Sequence, residues 1–189
     1  MNIIGLDLSW TSTGLADASG VAHTIGTNSH AYPNDMARAT SIVDQIFDYI
    51  VTTDHETVDL VAVEGFSHGS GFQAHRMGGL NYVVQMELYR EKIPVVMIPP
   101  ASVKKYASGN GNAAKSLMLV EAVKRLGYEG SSDDEADALW LRQMALARYA
   151  PEMAVEVPKS HLSKMDNVSW PMLDVVVLPP APPLPKEAA

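Results

Sequence analysis

The sequence predicts an α/β fold: a mixed five-stranded sheet, three antiparallel strands then parallel ones, flanked by helices. Two patterns predict it. Near the start, three short strand-like runs follow one another: residues 2–9, "TGLADAS" and "VAHTIGT". Ser19-Gly20 marks a turn between the last two, and short connections of this kind join antiparallel neighbours. From residue 34 onward, helical and strand-like segments alternate, which implies parallel pairing with helices packed on the sheet.

The elements follow in order. Residues 34–52 place Met36, Ala39, Ile42, Val43, Ile46, Phe47 and Ile50 at helical spacing. "VDLVAVEGF" (58–66) reads as a buried strand, and "FSHGSGFQ" (66–73) as a glycine-rich loop. Residues 74–91 predict a helix. "IPVVMIPP" (93–100) predicts a strand stopped by two prolines, and "ASVKKYA" a short helix. Residues 113–126 predict a helix ended by Gly127, and 132–149 a long one. Residues 1–150 thus form the expected domain. Residues 151–189 form a C-terminal extension whose end, "LPPAPPLPKEAA", is proline-rich and expected to be extended or disordered.

Composition narrows the function. The 189 residues suffice for one domain with a hydrophobic core. There is no cysteine, which excludes a disulfide scaffold and thiolate metal sites and fits a cytoplasmic protein. The start of the chain shows no signal-peptide pattern, and no apolar run reaches the roughly 20 residues of a membrane span. The net charge of −8 argues against a nucleic-acid partner. The distribution reverses that. Between Arg76 and Arg125 there are eight basic residues against three acidic ones, so one region can meet a polyanion.

The acids raise the sharper question. In the first strand, Ile4, Leu6 and Leu8 share one face; Ile3, Gly5 and Asp7 share the other. Gly5 leaves space beside Asp7. In the later strand, Val58, Leu60, Ala62 and Glu64 share a face. A carboxylate buried in an apolar run is costly unless paired, hydrogen-bonded or bound to a metal. The last helix opens with "SSDDEADAL". Ser132 and Glu135 fit a capping box. Asp134 and Asp137 share a face at i,i+3, and Asp133 and Asp137 do so at i,i+4. The helix dipole accounts for Asp133, Asp134 and Glu135 but poorly for Asp137, which lies between Ala136 and Ala138. Clustered carboxylates repel one another, and divalent cations offset that repulsion. All-oxygen donors suit Mg²⁺ or Mn²⁺. Two such ions about 4 Å apart can activate a water and stabilise the leaving oxygen of a phosphodiester.

In this order, "IIGLDLSWTSTGLA", "VAVEGF" and "DDEADAL" resemble the RuvC-type Holliday-junction resolvases of the RNase H-like superfamily, over roughly residues 2–148. The D-x-x-D-A-L run at Asp134–Leu139 is the most specific part. The resemblance implies an RNase H-like fold and a catalytic, metal-binding set of Asp7, Glu64, Asp134 and Asp137. It also implies two Mg²⁺ ions, for which Mn²⁺ can substitute, a homodimer, and paired nicks across a four-way DNA junction. Lys104 and Lys115 match its two lysines, and Phe66 or Phe72 matches an aromatic that wedges at the junction centre. Arg76 joins the lysines as a candidate phosphate contact. The compact form with its proline-rich tail also resembles phage-encoded members. Within the superfamily, other relatives cut flaps and Y-forks or process structured RNA.

Rival signals are weaker. "GNGNAAKS" (109–116) approaches a phosphate-binding P-loop, but Ala114 replaces its last glycine and no clear strand leads into it. "GLDLSWTSTG" also resembles the first phosphate loop of the actin and sugar-kinase class, which needs a second loop that is not found here. No nucleotide cofactor is therefore expected. His68 and His75 read as surface or DNA-facing residues. Tyr82, Met86 and Tyr89 have helical spacing and read as core or dimer interface, and Trp10 as packing beside the site.

Overall fold

A computed structural model describes residues 1–51, 58–65 and 72–173. The proline-rich end, Phe66 and His68 lie outside the described residues. Three strands come first, β1 (Ile3–Asp7), β2 (Ser12–Ala16) and β3 (Ala22–Gly26), followed by α1 (Asp35–Val51), β4 (Leu60–Glu64) and α2 (Phe72–Arg90). Then come β5 (Val95–Ile98), α3 (Pro100–Ser108), α4 (Lys115–Leu126) and α5 (Asp133–Tyr149). The sheet order is β3-β2-β1-β4-β5. β1–β2 and β2–β3 are antiparallel; β1–β4 and β4–β5 are parallel. The mixed five-stranded sheet is the one the sequence predicts. No helix among the described residues is long and apolar enough to cross a membrane.

Both faces of the sheet are covered, which is why β1 is buried throughout. Ile4, Leu6, Val61 and Val63 point toward α1 and α2, against Ile42, Ile46, Leu80 and Val84. Ile3, Leu60, Ala62 and Val96 point toward the other layer, against Tyr106, Met118, Trp140 and Met144 of α3, α4 and α5. Alternation along β1 and β4 therefore sends Asp7 and Glu64 to the α5 side.

Two glycines bring α5 onto the sheet without an intervening side-chain layer. A Cβ on Gly5 would lie 2.0 Å from the Ala138 carbonyl oxygen, and one on Gly14 would lie 2.0 Å from that of Asp134. The space beside Asp7 is thus filled by helix backbone. Ser132 caps α5, its hydroxyl accepting from Glu135 N–H at 3.3 Å. The reciprocal half of the capping box is replaced. Glu135 accepts from Thr24 and Tyr128, while Ser132 N–H donates to the Tyr128 hydroxyl. Pro99 and Pro100, expected to stop β5, also start α3: Pro99 is its N-cap and Pro100 its first residue. Gly109 and Gly127 end α3 and α4 in the left-handed conformation, with φ of 78° and 66°.

Beyond α5 the described chain continues as short 3₁₀ segments, Pro151–Met153 and Lys159–Asn167. The second lies on α3, where His161 is buried with Nδ1 2.8 Å from the Tyr106 carbonyl. Val168 is also buried in the α3–α5 layer, and Trp170 packs edge-on against Tyr149.

Candidate active site

β1 and β4 run parallel with Leu6 opposite Val63, so Asp7 and Glu64 follow as the next neighbours. Both side chains face α5. Asp7 is 7% exposed and Asp137 only 4%. Asp134 and Asp137 open the same side of α5, and Lys115, the first residue of α4, reaches across to them. Its ammonium lies 3.0 Å from Asp134, 3.5 Å from Asp133 and 3.9 Å from Asp137. Asp133 is the most exposed of these three acids.

The electrostatics are those of crowded carboxylates. Burial, then the charges of Glu64 and Asp137, push the Asp7 carboxyl up to about 9. Burial raises Glu64 as well, while a hydrogen bond from Asp7 partly offsets it. Asp137 is pushed up to about 7 by burial and by Glu64. One of its oxygens, Oδ1, is the only buried side-chain polar atom among the described residues without a hydrogen-bond partner. Burial pulls Lys115 down, but Asp134, through its hydrogen bond and charge, and the charges of Asp7 and Asp137 outweigh that and hold the ammonium above the ordinary lysine value. Lys104, half-buried on α3, adds positive charge that favours the ionised forms of Glu64 and Asp137. Among the described residues, no three acidic or imidazole groups form a ready-made cage around one cation.

The remaining candidates sit at the edge. Phe72 is the first residue of α2 and stands 75% exposed. Arg76 is engaged in a two-point ion pair with Asp35, at 2.7 and 2.8 Å. Phe66 falls outside the described residues. Tyr82, Met86 and Tyr89 are not core: they are 67%, 45% and 57% exposed along one stripe of α2. α3, not a strand, precedes the loop into Lys115, so the P-loop arrangement is not made. Two contributors escaped sequence reading. Gly14, opposite Asp7 in the β1–β2 pairing, carries one signal in the sequence: a glycine inside a strand marks close backbone approach. Asp35 pairs with Arg76 across 41 residues, which no local pattern announces.

Comparison with known proteins bears on the family and the fold. No protein-family model matches the chain. A curated relative from Anaeromyxobacter dehalogenans (strain 2CP-C), named crossover junction endodeoxyribonuclease RuvC, is 31% identical over 140 residues, 72% of this chain and 75% of the relative. One of the same name from Salinibacter ruber is 29% identical over 149 residues, 74% of this chain and 81% of its own. Among solved structures, Thermus thermophilus RuvC superposes with a TM-score of 0.62 at 22% identity, over 82% of this chain and 99% of that one. The same protein in complex with a Holliday junction substrate gives 0.65, over 82% and 98%. These superpositions show the RNase H-like fold. The chain belongs to the RuvC family of crossover junction endodeoxyribonucleases.

Proposed function

We propose that this protein is a metal-dependent endonuclease that resolves four-way DNA junctions by paired nicks. One observation carries the reading. Asp7, Glu64 and Asp137 converge from two neighbouring strands and a helix into a buried site where burial and repulsion between carboxylates raise all three carboxyls and Lys115 and Lys104 offset this only in part. A fold does not gain stability from such crowding; a site that holds cations does.

The donor set fits a hard divalent ion. Every candidate ligand is a carboxylate oxygen, and the partnerless Oδ1 of Asp137 is the kind of buried atom a cation satisfies. Asp7, Glu64, Asp134 and Asp137 would hold two Mg²⁺ ions, with Mn²⁺ able to substitute. When bound, the ions supply an activated water and stabilise the leaving oxygen. The protein's own groups do the rest. β1 and β4 fix two acids on rigid backbone, and α5 fixes two more. Lys115 and Lys104 place positive charge beside the acids, where a backbone phosphate must lie. Arg76 joins them only by exchanging Asp35 for a phosphate. Homodimer formation is supported by the exposed Tyr82, Met86 and Tyr89 stripe on α2, which gives two copies an apolar face to share.

The test is Mg²⁺-dependent cleavage of a labelled four-way junction beside linear duplex, flap, Y-fork and RNA hairpin controls. Symmetric nicks confined to the junction are expected. Trimming of the RNA hairpin with an intact junction would move the substrate to structured RNA, and cleavage of flaps alone would move it to other branched DNA.

A further inference from the structure

A cluster beside the acids remains unassigned. Trp10 lies three residues beyond Asp7 and is 9% exposed. Its indole N–H donates to the Arg76 carbonyl at 3.1 Å. The Arg76 guanidinium stacks over the Trp10 ring, 4.9 Å from its centroid, and also lies 5.8 Å from the ring of Phe72. Asp35 closes the arrangement with two charge-assisted hydrogen bonds to Arg76. From the other direction, Arg38, 3% exposed, sits 5.7 Å from the Trp10 ring and donates to the Trp10 and Thr27 carbonyls.

We infer that Trp10 is a positioning residue for junction opening, holding the first turn of α2 so that Phe72 is presented to a DNA base. The inference rests on the junction-cleaving function proposed above. Its physical basis is the order of the contacts. Phe72 stands 75% exposed on the first turn of a helix, where backbone bonds are fewest. Arg76, one turn on, is the residue against its ring. Arg76 is in turn fixed at its backbone by the indole N–H, on its face by the indole ring and at its fork by Asp35. Trp10 also packs in the core beneath α1 and α2, and its buried N–H needs an acceptor as that of Trp140 does; what sets it apart is where the contacts fall. Here both the edge and the face of Trp10 meet Arg76. The loop leaving Asp7 is thereby tied to the helix that begins eight residues after Glu64. An exposed aromatic held in place loses little further freedom when a base stacks on it, and base–aromatic stacking contributes substantially to binding.

The experiment is a double-mutant cycle on the full chain, read on a four-way junction carrying 2-aminopurine at the branch point. Binding is followed in EDTA by the fluorescence rise that accompanies unstacking; cleavage is followed in single turnover with Mg²⁺. Phe72→Ala should remove the rise. Trp10→Leu should reduce it and slow cleavage about tenfold, the combined weight of one stacked cation and one hydrogen bond. Trp10→Phe, which keeps a ring under Arg76 but lacks the N–H, should fall between. Asp35→Asn, at an exposed position, should lower the signal without touching the core. The Trp10→Leu/Phe72→Ala protein should be no slower than Phe72→Ala alone.

Equal slowing by Trp10→Leu with and without Phe72 would make Trp10 structural and overturn the inference. So would a full fluorescence rise in Trp10→Leu, or an unchanged one in Phe72→Ala. If Trp10→Leu fails to fold by circular dichroism, Trp10→Phe and Asp35→Asn carry the same comparison. A wild-type protein that does not cut the junction would overturn the function and the inference together; a cutting wild type with undisturbed Trp10 variants overturns the inference alone.

Discussion

Gly5→Ala adds one methyl group at the place where β1 meets α5. That Cβ would stand 2.0 Å from the Ala138 oxygen and 2.9 Å from the Arg142 nitrogen, where ordinary contact begins at 3.4 Å. α5 would have to retreat by about 1.4 Å, because the atoms it meets are backbone and cannot rotate away. Overpacking a core by a methylene costs about 1–3 kcal/mol, and a rigid partner puts this site at the upper end. For a chain of this size, about 3 kcal/mol lowers the melting temperature by roughly 6–12 °C. The retreat also moves Asp137 away from Asp7, and a misplacement of about 1 Å can reduce a rate about 100-fold. Thermal unfolding and Mg²⁺-dependent junction cleavage measure the two effects. Gly79→Ala is the control. A Cβ there meets nothing within 4 Å, and alanine favours the helix, so it should be neutral or stabilising by about 0.5–1 kcal/mol. A Gly5→Ala protein that melts and cuts like wild type would refute direct docking of α5 on the strand.

Three further outcomes follow from the charges. Asp7 titrates near 9 when folded against 3.8 unfolded, so between those values folding takes up a proton and stability falls as pH rises; below both, the effect vanishes. In EDTA at pH 7, Asp7→Asn should therefore be more stable than wild type by up to about 4 kcal/mol, with the gap closing toward pH 4 in urea titrations; a variant less stable at pH 7 would contradict this. Asp17 behaves oppositely. Burial raises it, but hydrogen bonds from Ser19, His23 and the Val21 N–H outweigh that and lower its folded value, so its contribution is present above the unfolded value of 3.8 and lost as pH falls through the folded one. Asp17→Asn should cost about 1–2 kcal/mol at pH 7 and progressively less in acid, and a constant gap would show that the charge is immaterial. Lys104→Ala should weaken junction binding and reduce the slope of log K against log salt by about 0.9, one phosphate contact; an unchanged slope would place Lys104 away from the DNA.

How far the sequence could be read depended on how local each signal was. Alternation in β1 and β4 put Asp7 and Glu64 each on one face of its own strand, and helical spacing put Asp137 on one side of α5 with Asp134 or Asp133; that the two strand faces coincide came from the parallel pairing. Both periods act within a few residues, and both elements formed as read. Helical spacing also grouped Tyr82, Met86 and Tyr89, yet a periodic stripe reads the same whether it faces the core or solvent, and here it faces solvent. Met36 shows the same limit, with the right spacing in α1 but 65% exposed. Arg76 looked free for phosphate because its partner, Asp35, is distant in the chain. The packing of His161 on α3 is equally nonlocal, joining positions 55 apart. Gly5 was legible as space; that a helix backbone fills it required the third dimension.

The central claim is that the acids gathered at the end of β1 and β4 hold the ions that cut a four-way junction. The most direct measurement is cleavage of a labelled junction with Mg²⁺ by wild type and Asp7→Ala, with junction binding of both measured in EDTA. Paired symmetric nicks by wild type, lost in Asp7→Ala while binding and folding persist, is the expected result. Undiminished cleavage by Asp7→Ala, or loss of binding and fold together with activity, would contradict it and leave Asp7 a structural residue.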